Sequence, residues 1–99
     1  MKKEILRSFF QSNFHLDWTE DYETTEEVIV DFCRTKAEIK IQIRDALQEA
    51  LEEQAVGKKF VHEMKGSFIP SLEGYSAEEW VKMVIKMISE DLDAKGQAE

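Results

Sequence analysis

His15, His62, Cys33 and a surplus of carboxylates are the side chains of this sequence that could do chemistry. A nucleophilic Cys33 would need a neighbouring base. Its spacing from Val28, Ile29 and Phe32 instead makes it the small buried thiol of an apolar helix face. His15 with Asp17, and His62 with Glu63, raise the question of metal binding. A structural zinc site takes four Cys or His ligands at short paired spacings, and the chain holds one cysteine and two histidines in all. The carboxylates from Asp17 to Glu27 lack the central glycine and fixed ligand ladder of an EF-hand loop. The four glycines are scattered and form no phosphate cradle ahead of a helix. A histidine and a carboxylate could serve as general base and acid, but no substrate-binding signature accompanies them. The inventory points away from an enzyme and requires neither metal nor cofactor.

Charge is more informative. Thirteen Lys and Arg face 21 Asp and Glu, a net charge of −8 with neutral histidines. Direct nucleic-acid binding needs a basic face, as does adsorption to anionic lipid. The excess is also localised. No Lys or Arg lies between Arg7 and Arg34, whereas that interval holds Asp17, Glu20, Asp21, Glu23, Glu26, Glu27 and Asp31. Such a segment is either a solvated acidic face or a field that steers a basic partner.

These groups must be positioned by helices. The 99 residues suffice for a single domain spanning 1–99, and the 42% hydrophobic content suits a core. No glycine occurs before Gly57, and Pro70 is the only proline, a pattern foreign to folds of many short strands. Ile5, Leu6, Phe9 and Phe10 define a helix over about 3–13. After a loop to Glu23, Thr24 and Glu27 have capping-box spacing ahead of a helix that buries Val28, Ile29, Phe32 and Cys33. Thr35 and Glu38 repeat that spacing before the longest helix, with Ile39, Ile43, Ala46, Leu47, Ala50 and Leu51 inward, ending near Gln54 with Gly57 as the stop. The alternation of Ile39, Ile41 and Ile43 would also suit a strand, but the Leu/Ala/Glu/Gln-rich continuation favours helix. Phe60, Val61 and Met64 suggest a short fourth helix ending near Gly66, and 67–75 reads as loop. Ser76 and Glu79 cap a last helix over about 77–92, with Trp80, Val81, Val84, Ile85, Ile88 and Leu92 inward. Residues 1–2 and 94–99 are expected to fray. The expectation is an all-α fold, a single compact bundle of about five helices. With one cysteine, no signal-peptide pattern and no apolar run near the ~20 residues of a membrane span, a cytoplasmic setting fits best.

Some residues are less generic. Phe9-Phe10, Phe14-His15-Leu16-Asp17-Trp18, Thr25-Glu26-Glu27-Val28 and Asp31-Phe32 resemble the opening of a family of small bacterial immunity proteins from contact-dependent growth inhibition systems. There the pattern is approximately F-F-x-x-x-F-H-x-D-W, then an acidic turn and T-x-E-E-V. Gly74-Tyr75, Trp80 and the helix to Leu92 are similar to the family's close, whereas Gly57–Leu72, with Lys58-Lys59, follows no such pattern. The resemblance implies a helical cytoplasmic protein that binds the C-terminal toxin domain of a cognate effector delivered by a neighbouring cell, and blocks it. Phe9, Phe10, Phe14, His15, Asp17, Trp18 and Trp80 read as fold residues: an aromatic core, a charge or amide partner at His15, a cap or loop clamp at Asp17, and indoles whose N–H finds an acceptor.

A toxin-neutralising binding protein is the leading function. A small acidic adaptor for a basic or amphipathic segment of another protein is the alternative, and a small hydrolase or metal enzyme comes third. For toxin contact the candidates are Glu20, Asp21, Glu23, Glu26 and Glu27, which the loop and first helical turn should expose. Asp17 is expected to cap, and Asp31 to sit beside the buried face of its helix.

Overall fold

The computed structural model describes residues 3–64 and 66–96. Within them the chain forms α1 (Lys3–Asn13), a 3-10 turn (Trp18–Glu20), α2 (Thr25–Phe32), α3 (Ala37–Glu52), a single turn α4 (Phe60–Glu63), a second 3-10 turn (Pro70–Glu73) and α5 (Ala77–Gly96), with no strand among the described residues. The all-α expectation holds. α5 is the central helix: α3 lies along it, α2 and the second 3-10 turn pack on it, and α1 packs on α3.

Two of the three capping boxes form. The Thr24 hydroxyl accepts from the Glu27 amide while the Glu27 carboxylate accepts from Thr24 N–H. Ser76 and Glu79 do the same at 3.0 Å in both directions. Hydrogen bonding to the Glu79 carboxyl from the Ser76 backbone N–H, and secondarily from the Ser76 side chain, holds it below its ordinary 4.5.

The expected box at Thr35 and Glu38 does not form. Arg34 and Thr35 amides bond back to the Asp31 and Phe32 carbonyls, so Thr35 belongs to the turn closing α2, and Lys36 is the extended residue before α3. On α3 Ile39 lies off the buried stripe and is 42% exposed, and Lys40 takes the inward position at 1% exposure. The Lys40 ammonium bonds Asp91 on α5 at 2.5 Å and the Cys33 carbonyl at 3.0 Å, so a buried charge is met by an anion and a backbone acceptor.

Gly57 is not the stop of α3. The helix ends five residues earlier, at Glu52, in a Schellman arrangement, with Gln54 at φ 56°, Gln54 N–H on the Leu51 carbonyl and Ala55 N–H on the Ala50 carbonyl. At the other end of the chain, α5 runs past the expected end near Leu92 to Gly96; of the segments expected to fray, residues 1–2 and 97–99 lie outside the described residues.

The core is aromatic. Trp80, fully buried, lies 4.7 Å from Phe68, 5.5 Å from Phe14 and 5.7 Å from Phe10 between ring centroids. Phe68 comes from the segment without a sequence pattern. Gly66 places it: a Cβ there would stand 2.7 Å from Val61 Cγ1 and 3.0 Å from the Phe10 ring, so the backbone reaches the core only where a side chain is absent.

Candidate functional site

The aromatic core anchors two loops, and those loops carry the acidic segment. Phe14 ends α1 in the core, and its carbonyl accepts from Ser67 N–H at 2.9 Å. The Ser67 carbonyl in turn accepts from Trp18 Nε1 at 2.7 Å, so the indole N–H is satisfied while its ring meets Phe14 edge-on at 5.8 Å. This clasp fixes the 3-10 turn Trp18–Glu20. His15 and Asp17 stay exposed beside it. His15 Nδ1 accepts from Asp17 N–H at 3.2 Å, and the His15 carbonyl accepts from Trp18 N–H. His15 is thus an amide partner within the turn. The Asp17 side chain makes no capping hydrogen bond, in contrast to the expected cap.

A second anchor joins α2, the loop before α5 and α5 itself. Trp80 Nε1 donates to the Thr25 hydroxyl at 2.8 Å, that hydroxyl donates to Glu73 Oε1, and Thr25 N–H donates to Glu73 Oε2 at 2.9 Å. Thr25 is wholly buried. Neither Thr25 nor Glu73 was marked for this by the sequence. A threonine at the first position of an acidic helix and a glutamate in a loop carry no periodic signal, and their meeting depends on Gly74 turning the chain at φ 85°.

All seven carboxylates from Asp17 to Asp31 are exposed. Asp31, beside the half-buried Phe32, is exposed like the others. It accepts from the Tyr22 phenol at 2.5 Å and has Arg34 at 3.7 Å. Glu26 accepts from the Tyr75 phenol at 2.6 Å, and Glu27 is spent in the capping box, taking Glu23 N–H as well at 2.8 Å. The carboxylate acceptors raise both phenols above 10.0, chiefly because ionisation would remove the proton that each phenol donates in its hydrogen bond. Glu20, Asp21 and Glu23 have no side-chain hydrogen bond or ion pair among the described residues. The five candidates thus divide into three that serve no internal bond and two, Glu26 and Glu27, that also hold the fold.

Around these groups lies a shallow hollow lined by Asp21, Tyr22, Glu27, Val30, Asp31 and Arg34, of which Val30 is 58% exposed. Next to it, sharing Asp31, an apolar groove of about 650 Å³ runs between α1 and α3. Among the described residues no three His, Cys, Asp or Glu side chains converge as a metal-ligand set, and no helix is long and apolar enough to cross a membrane.

Fold and surface together define a small helical protein whose stiff aromatic core holds out an acidic turn and helix start, the anatomy of a binding protein. The chain belongs to the CdiI immunity protein family, whose model matches residues 2–88, and it is therefore a toxin-neutralising immunity protein of contact-dependent growth inhibition. No curated protein and no solved structure matches it.

Proposed function

We propose that this chain, in the cytoplasm, binds the C-terminal toxin domain of a cognate contact-dependent growth inhibition effector and neutralises it by occupying its active site, without chemistry of its own. The single observation that carries the acidic segment into this role is that all seven of its carboxylates are exposed on a backbone pinned by Trp18 and Thr25. A held array of charge acts on a partner without first paying to order itself. Arg34 is the only described cation paired with it. A toxin acting on nucleic acid must have a basic channel, and an acidic inhibitor can fill it. Glu20, Asp21 and Glu23 are the side chains assigned to that contact, with Glu26 and Glu27 contributing charge from the first turn of α2.

The test is purification of the chain with the toxin domain encoded beside it, followed by toxin assays at increasing ratios of the two. Stoichiometric loss of toxin activity is the expected result. A complex in which the toxin remains fully active contradicts active-site occupation.

A further inference from the structure

We infer that the groove between α1 and α3 is the seat of an amphipathic, basic segment of the toxin domain, which holds the complex together after the acidic segment has steered it in. This rests on the toxin-binding reading above and adds a second contact to it. The floor is apolar: Ile5 and Phe9 from α1, Phe32 from the end of α2, Ile39 and Ile43 from α3. Ile39, 42% exposed, lies outside the buried stripe of α3 and so is available to the groove. Ser8 and Ser12 are exposed on the α1 side, and their small side chains leave the floor open. The α1 lining from Ile5 to Ser12 covers two helical turns, a length of about 10 Å, which matches apolar side chains at i, i+3/i+4 and i+7 of a docked helix.

Charge selects the occupant. The charged residues lining the groove are Glu4 and Asp31, with no Lys or Arg among the described lining residues. Asp31, with Arg34 at 3.7 Å, is also the link to the hollow that holds Asp21 and Glu27, where three carboxylates face that one guanidinium. A segment with apolar residues on one face and Lys or Arg along its margin satisfies both surfaces at once. A second copy of this chain would instead bring another −8 against the same acidic rim.

The experiment measures binding of the purified toxin domain to the full chain and to two variants of equal added charge. The groove variant is Ser12→Arg with Ile39→Lys; the control is Gln11→Arg with Gln48→Lys, at exposed positions that line no groove. Helix content and thermal midpoint are checked for each, and if the groove variant is unfolded it is replaced by Ser8→Arg, at another exposed position of the groove, with Gln11→Arg alone as its control of equal charge. The inference expects the groove variant to dissociate at least about tenfold faster than the parent while the control dissociates at the parental rate. Equal dissociation of groove variant and parent overturns the groove and leaves toxin binding standing. Equal acceleration in both variants also overturns it, since overall charge would then be the cause. A parental dimer that the groove variant converts to monomer shows a second copy in the groove and overturns it too. Absence of any parental binding removes the toxin-binding reading and this inference together.

Discussion

Thr25 is the most exacting place to test how the fold holds its acidic segment. Thr25→Val keeps the shape and removes the hydroxyl that accepts from Trp80 Nε1 and donates to Glu73. The indole N–H then has no acceptor inside a residue of 0% exposure, which costs about 1–3 kcal/mol. Loss of the bond to the glutamate adds about 1 kcal/mol, reduced because Glu73 is half-buried and keeps Thr25 N–H at 2.9 Å. The expected total is about 2–4 kcal/mol, or a fall in thermal midpoint of about 10–20 °C for a chain of this size. Thr25→Ser retains the hydroxyl and loses a methyl group, for about 1 kcal/mol. Urea unfolding followed by helical circular dichroism compares the two, with the slope checked for constancy. The same change is then made beside Trp80→Phe, which has no N–H to orphan, and there Thr25→Val should cost about 1–2 kcal/mol less. If valine is no worse than serine, or its cost is unaltered beside Trp80→Phe, the hydrogen-bond chain is not what secures α2.

The Lys40–Asp91 pair should respond asymmetrically: Asp91→Ala, which strands a buried ammonium, should destabilise by about 3–5 kcal/mol, and Lys40→Met by less, because the Asp91 side chain is 24% exposed and can be hydrated. Unfolding curves giving the reverse order would contradict this. Gly66→Ala should cost about 1–3 kcal/mol through the 2.7 Å approach to Val61, measured in the same way; a neutral result would mean the 66–68 segment shifts freely. Tyr22 and Tyr75 have folded pKa values above 10.0, so their bonds to Asp31 and Glu26 contribute stability that is complete below pH 10.0 and is lost as pH rises through the raised values. Tyr22→Phe with Tyr75→Phe should accordingly flatten the alkaline limb of a stability–pH profile, and an unchanged limb would count against both bonds.

Much of the fold is legible in the sequence where one local rule suffices. Ser76 with Glu79 and Thr24 with Glu27 cap helices as their spacing indicates, and Trp18 and Trp80 are both buried with their N–H groups satisfied. Thr35 with Glu38 has the same spacing and fails, because the tight turn after α2 uses the Thr35 amide and leaves Lys36 as the extended residue. On the same helix Lys40 is inside and Ile39 outside, against hydropathy. Asp91 on α5, fifty-one residues away, together with the Cys33 carbonyl makes the burial of Lys40 tolerable. Likewise Gln54 takes a left-handed conformation three residues before the available glycine, since helix geometry sets where α3 must end. The acidic segment was evident from charge alone. Its division into free and internally bonded carboxylates was not, because Tyr75 reaches Glu26 across forty-nine residues.

The central claim, that the exposed carboxylates meet a basic toxin surface, is tested most directly by association kinetics with the purified toxin domain at several salt concentrations. The comparison is between the parent and Glu20→Lys/Asp21→Lys/Glu23→Lys, a triple variant that spares both the Glu27 cap and the Glu26–Tyr75 bond. The account predicts a parental rate that falls steeply as salt rises, and a variant that folds normally but associates about 10- to 100-fold more slowly at low salt, the two converging at high salt. A folded triple variant that associates at the parental rate with the same salt dependence would contradict it.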